Sequence, residues 1–462
     1  MEELVNNLIE SIDNFNAEEA IYWAHLIKQQ KKSTSCPLTS IFKGFQLTNQ
    51  ELSAILTELI WENLKNEDFP IIIVNYKAEL IEGLRTNDES VNKLCLRIIF
   101  DLGIGKGHEI DEEMLENVLN LMNSNNYSVS SYLSHLIIKY TSYSNYSKYL
   151  LEMYYNTKSD DSIIKFRYLE LFQQLNISNP QLFNTFFEEI KGILLKPEDD
   201  LLFTANVLQI IQDCIDKKEQ FELFLNEGII DGIIRLITNN NSDILVSKSL
   251  DIIANCAINQ CFDSEFINSK GLNRIIYNIE PSTASSVFCS CSIASLCPND
   301  NETISNLFHT SFMNGTSEIQ LAALHGLGIY FKSASSINHL ALLTNLNSFG
   351  WFNSWLPERL SSTFDEQKSA SYYALKSIIT SSPDSFKFIL NNSNLFANLL
   401  DRSLDSSLLG LKWKYGIIED IKVNSDLFDC LNDPLKEMVV IYLRNGVTFI
   451  PKTSQVAYEG QN

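Results

Sequence analysis

Glu227-Gly228-Ile229-Ile230-Asp231-Gly232-Ile233-Ile234-Arg235-Leu236-Ile237 leads into a polar break, Asn239-Asn240-Asn241-Ser242-Asp243. A second apolar run then carries Val246, Leu250, Ile252, Ile253, Ala254 and Ala257. Apolar residues at helical spacing behind Gly228 predict a short helix. The Asn/Ser/Asp break predicts a turn and an N-cap. The second run predicts a longer helix whose small residues let a neighbour approach closely.

The pattern recurs. Gly271-Leu272-Asn273-Arg274-Ile275-Ile276 opens another unit about 43 residues after Gly228, within the period of armadillo and HEAT arrays. Its long helix is expected through Val287, Phe288, Ile293, Ala294 and Leu296. Further long helices are expected over Val91–Phe100, Val129–Tyr140, Ile163–Leu175, Ala205–Ile215, Ile319–Tyr330, Ala370–Ile379 and Leu409–Ile421. Period-two alternation is scarce, which argues against strands. The expected fold is therefore all-α, an armadillo/HEAT-like α-solenoid forming a right-handed superhelix of helical repeats. One continuous array is expected over 1–440 and a C-terminal tail segment over 441–462.

Composition agrees. Of 462 residues only 17 are Gly and 10 are Pro, so few residues break helices. The formal net charge of −22 opposes nucleic-acid binding and favours a basic protein partner. No apolar run approaches the ~20 residues needed to cross a bilayer, the strongest being Pro70-Ile71-Ile72-Ile73-Val74, so no membrane role is expected. The start, Met1-Glu2-Glu3-Leu4, lacks a basic and then apolar leader, so no signal peptide is expected. Nine cysteines, an odd number mostly within apolar helical runs, read as reduced thiols of a cytoplasmic protein that could also be nuclear.

Motifs for chemistry are mostly missing. Gly103-Ile104-Gly105-Lys106-Gly107 has neither the spacing nor the preceding strand of a phosphate loop, and reads as an inter-repeat turn. Cys256/Cys261 and Cys289/Cys291/Cys297 lack the turn residues and nearby His of a zinc site, and read as buried helix thiols. His325, in Ala323-Leu324-His325-Gly326, reads as a helix histidine and not a base. Trp351 and Trp355 are i,i+4 neighbours and read as packing residues. The chain is not expected to be an enzyme, and no cofactor is implied.

One polar pattern points to binding. Glu170/Gln174, Gln209/Asp213 and Asp251/Asn255 are i,i+4 pairs on three successive long helices, one repeat period apart. Spacing of four puts each pair on one helix face. They would stack as a polar ladder along the groove where solenoids hold partners. An ordinary solvated helix face would show the same spacing.

The C-terminal end adds a family. Tyr442-Leu443-Arg444-Asn445-Gly446-Val447-Thr448-Phe449-Ile450-Pro451-Lys452 leads to Val456-Ala457-Tyr458-Glu459-Gly460. This resembles the closing segment of the proteasome base assembly chaperone family, that of 26S proteasome non-ATPase regulatory subunit 5. Asp401-Arg402-Ser403, Lys414-Tyr415, Trp351-Phe352, Glu227-Gly228, Arg167-Tyr168, Glu170-Leu171 and Asp88-Glu89-Ser90-Val91 fit the same family. The resemblance spans from about residue 85 to the end and is densest in the last hundred residues. It implies a helical solenoid that holds the C-terminal domain of the AAA ATPase regulatory subunit 7. Regulatory subunit 4 and non-ATPase subunit 2 share that intermediate, and the chaperone, a monomer by itself, leaves before the mature particle forms. The rival reading is a generic armadillo/HEAT adaptor or nuclear transport receptor. Against it, Trp23, Trp61, Trp351, Trp355 and Trp413 do not recur with the repeat as a cargo ladder would.

Overall fold

In the computed structural model the described residues are 2–29, 37–47, 49–140, 146–156, 161–175, 180–239, 242–274, 283–297, 301–333, 336–404 and 407–448. They are helical, with no strand among them. Cys36, residues 275–276 of the second repeat opening, Asn240 and Asn241 of the polar break, and the tail from Phe449 through Gly460 lie outside the described residues. The chain divides into two compact units, Met1–Ile193 and Leu194–Asn462.

In the first unit five helices form one row, each packed on the next: α1 (Ala17–Gln29), α2 (Gln50–Leu64), α3 (Glu89–Arg97), α4 (Tyr127–Tyr140) and α5 (Ser162–Leu175). A second row runs through Glu2–Asp13, Leu38–Lys43, Phe69–Arg85, Glu112–Asn120 and Tyr146–Asn156. The second unit repeats the plan. Its row is α6 (Leu201–Cys214), α7 (Asp243–Ile258), α8 (Ala284–Leu296), α9 (Ser317–Ser333), α10 (Asp365–Ser381) and α11 (Leu408–Val423). Beside it lie Asn301–Asn314, Ser336–Ser348 and Pro383–Asn392, again packed in order. Each expected long helix falls on a row helix, from α3 to α11.

Side-chain caps set where the row helices begin. The Asp88 carboxylate accepts the N–H groups of Ser90 and Val91, and Asn49 accepts that of Leu52. Asp200 caps α6 through Phe203, and Thr283 with Ser286 forms a reciprocal box at the start of α8. Gly228 and Gly271, the openings read from sequence, both have positive φ (76° and 69°), as each ends a short helix and turns the chain into the next. A π turn, Ile98–Gly103, closes α3 and is followed by a 3₁₀ turn, Ile104–Lys106, that ends in left-handed Gly107. A Cβ on Gly105 would lie 2.6 Å from the Tyr140 ring, so glycine there lets α4 pack closely on this turn.

The centre of the second unit is held by small residues. α8 buries Ser286, Cys289, Ser290, Cys291, Ser292 and Ala294. A Cβ on Gly326 of α9 would sit 2.6 Å from Cys291 Cβ, and one on Gly328 would sit 2.3 Å from Tyr373 on α10. Those two glycines let α9 lie directly against both neighbours. The buried Ser292, Ser371 and Ser377 hydroxyls donate to carbonyls four residues back, which spares them an unpaired polar atom. Burial pushes the Cys289 and Cys291 thiols well above the ordinary range, so they stay protonated.

Glu89 links α3 to α4. Its carboxylate receives Lys93 Nζ at 2.7 Å, Ser128 Oγ at 2.8 Å and Asn126 Nδ2 at 3.3 Å. These bonds, Lys93 first, hold its pKa down at about 2 against an ordinary 4.5. A carboxyl depressed in the folded state contributes stability that is complete above its unfolded pKa and is lost as pH falls through its folded pKa. Thermal unfolding of Glu89→Gln against wild type should therefore show a gap above pH 4.5 that closes as pH falls toward about 2. A gap independent of pH would contradict this assignment.

Candidate functional site

The sequence-predicted pairs all lie on row helices. Glu170 and Gln174 are on α5 in the first unit; the other four residues are on α6 and α7 in the second.

On α5, half-buried Glu170 and exposed Gln174 line a hollow of about 250 Å³ with Arg167, and with Tyr127 and His135 of α4. Burial raises the Glu170 pKa, and the nearby Arg167 partly offsets this. Arg167 itself is buried and donates Nη1 to the carbonyls of Met122 (3.3 Å) and Ser124 (2.6 Å). It pins α5 to the turn before α4.

On α6, Gln209 Nε2 donates to Asp213 Oδ1 at 3.0 Å, as the i,i+4 spacing requires. Gln209 Oε1 accepts Lys248 Nζ from α7 at 2.8 Å. One turn along α7, Asp251 accepts a bond from Ser285 of α8, and Asn255 follows half-buried on the same helix. Burial is the main influence on Asp251 and raises its pKa; Ser285 and Lys248 act in the opposite direction. A polar line thus crosses three stacked helices through Asp213, Gln209, Lys248, Asp251 and Ser285. The pairs were legible in the sequence, but Lys248 and Ser285, which join one helix to the next, were not. The spacing offered one signal for Lys248, which stands 39 residues after Gln209.

Asp251 also marks one end of an apolar groove that the sequence did not disclose, over α7 to α10, of about 470 Å³. Phe288, Leu321 and Ile329 line it, together with His325 of α9 and Tyr373 of α10. Burial of part of the ring lowers the His325 pKa, which favours its neutral form.

Several residues that carry the family resemblance do structural work. Asp88 caps α3, Arg167 holds two carbonyls, and Gly228 supplies a left-handed turn. Lys414 is buried and donates to the Asp401 carbonyl at 2.7 Å. Trp351 and Trp355 lie in a π turn rather than an α-helix, and their rings still stack at 6.1 Å. Among the described residues no group of three or more His, Cys, Asp or Glu is placed to hold a metal ion, and no helix is long and apolar enough to cross a membrane.

A family model described as proteasome non-ATPase 26S subunit matches residues 2–252, more than half of the chain. The match includes residues before 85, where the sequence alone offered only the repeat pattern. No curated protein matches the sequence. Among solved structures, Kap121p bound to the extreme C-terminus of the protein phosphatase Cdc14p is similar in fold, with TM-score 0.54 and 14% identity over 97% of this chain and 49% of that one. Kap121p bound to Ste12p gives TM-score 0.54 and 14% identity, over 97% and 48%. Kap121p bound to RanGTP gives 0.51 and 14%, over 95% and 48%. The chain spans about half the length of these karyopherins, and at this identity the likeness establishes the helical-repeat fold.

Proposed function

The chain belongs to the proteasome non-ATPase 26S subunit family, and from that premise we propose that it is an assembly chaperone of the base of the 26S regulatory particle. In this reading it holds the C-terminal domain of the AAA ATPase regulatory subunit 7. Regulatory subunit 4 and non-ATPase subunit 2 belong to the same intermediate, and the chaperone departs before the mature particle forms. It acts in the cytoplasm or nucleus, as a monomer by itself, by binding alone and without a cofactor.

The observation that carries the reading is the polar line across α6, α7 and α8. Its members are tied to one another across helices and so present fixed donors and carboxylates to a partner. Preorganised groups lose less entropy on binding than free side chains do. The acidic balance of the chain favours a partner with basic groups. Occupying the ATPase domain would block its premature docking elsewhere, and docking that needs the same surface would displace the chaperone by competition. The karyopherin-like fold favours a second reading, an adaptor or transport receptor, since Kap121p was crystallised with a bound protein terminus.

Reconstitution tests the proposal. The chain mixed with regulatory subunits 7 and 4 and non-ATPase subunit 2 is expected to co-elute with them and to be missing from particles carried through to completion. Retention in the finished particle would refute release. Asp213→Lys with Asp251→Lys is expected to weaken capture of the regulatory subunit 7 domain by about tenfold or more without unfolding the chain. Equal capture by wild type and the double variant would remove the polar line from the interface.

A further inference from the structure

The groove of about 470 Å³ over α7 to α10 is made from three kinds of surface. Its lining is mainly apolar, with Phe288 of α8 and Leu321 and Ile329 of α9 facing the space. Apolar surface of this kind is stabilised by being covered. Two carboxylates, Asp251 of α7 and Glu318 at the start of α9, line it as well. Asp251 is half-buried and meets the Ser285 hydroxyl, and it forms no ion pair among the described residues. Lys248, the nearest cation on its own helix, is engaged by Gln209. The third surface is aromatic: Tyr373 of α10, with Lys332 Nζ 4.5 Å from its ring centroid. The walls are closely packed: Gly326 and Gly328 let α9 lie directly against Cys291 of α8 and Tyr373 of α10.

A half-buried carboxylate beside apolar walls is best matched by a cation that arrives with its own apolar neighbour, which displaces water and supplies the missing charge together. We infer that this groove is a docking site for an amphipathic protein segment that places a large apolar side chain on Phe288, Leu321 and Ile329 and a Lys or Arg against Asp251 and Glu318. The inference rests on the partner-holding reading above and adds the chemistry of one contact. An acidic or purely polar segment would leave the apolar lining exposed and set like charges together, so it is excluded by the same groove.

The test uses the full chain and a short fluorescein-labelled helical peptide with Leu on one face and Lys on the other, read by fluorescence anisotropy. The comparison peptide carries Glu at every Lys position. Wild type is expected to bind the Lys peptide and reject the Glu peptide. Leu321→Glu should weaken the Lys peptide by about tenfold or more. Glu318→Lys with Asp251→Lys should weaken it similarly and gain binding of the Glu peptide. Circular dichroism and the thermal midpoint show that each variant is folded, and Glu318→Lys alone, at an exposed position, serves where the double variant is not. No binding to wild type, or equal binding to wild type and every variant, overturns the inference. Titrating the same proteins with the C-terminal domain of regulatory subunit 7 separates the two readings. Domain binding that neither Leu321→Glu nor Glu318→Lys alters overturns the groove and leaves the chaperone proposal standing. Groove-dependent peptide binding with no binding of the domain upholds the groove and removes the chaperone proposal.

Discussion

Trp351→Ala is expected to lower the stability of the second unit by about 3–5 kcal/mol, the usual cost of emptying a large buried aromatic site. Trp351 is fully buried. Its ring lies 4.8 Å from that of Phe352 edge-on, 5.6 Å from Phe312 and 6.1 Å from Trp355 in a stack. The neighbouring Trp355 donates Nε1 to the Phe312 carbonyl at 3.1 Å, so the cluster joins the π turn to helix Asn301–Asn314. Truncation leaves a cavity where that joint was. Trp351→Phe should retain most of the stability, because it keeps an aromatic in the stack and removes an indole N–H that has no partner among the described residues. Urea unfolding with hydrogen exchange over residues 301–314 and 351–360 measures both. A loss below about 1 kcal/mol for the alanine variant would contradict the packing role.

Arg402→Ala carries the second large effect. Arg402 is buried, with Nη2 donating to the Tyr442 carbonyl at 2.6 Å and Nη1 to those of Gly446 (2.6 Å) and Val447 (3.2 Å). Its guanidinium also lies 3.8 Å from the Tyr442 ring centroid. One side chain thus closes the C-terminal end of helix Asp433–Arg444 and the left-handed turn at Gly446. Removing it leaves acceptors without a donor, and a cost of about 3 kcal/mol follows. Arg402→Lys should recover only part, because an ammonium does not reproduce the planar fork. Exchange at amides 433–446 should rise about a hundredfold in the alanine variant if the effect stays local. Protection equal to wild type would show that the helix end does not depend on Arg402.

The repeat plan was open to reading because it rests on spacing. The apolar positions of α3 through α11 recur at helical intervals, and Gly228 and Gly271 mark equivalent turns that a side chain would strain. The row begins earlier than the quoted helices, at α1, whose buried face is only Ala20, Ala24 and Ile27 and gives a faint stripe. The carbonyl-binding roles of Arg167, Arg402 and Lys414 were not open to reading. A cation in a helix or loop reads as a surface residue until the fold brings carbonyls to it. The candidate site divides the same way. Pairs within one helix, such as Gln209 and Asp213, follow from the helix itself. Their links to Lys248 and Ser285 depend on the register between helices. The groove escaped notice because Leu321 and Phe288, half-buried at its walls, have the same spacing as core residues.

The most direct measurement is a calorimetric titration of the full chain with the isolated C-terminal domain of regulatory subunit 7, run beside the corresponding domain of another proteasomal ATPase. The account predicts selective one-to-one binding of the regulatory subunit 7 domain, weakened by Asp213→Lys with Asp251→Lys. No binding, or equal binding of both domains, would contradict it.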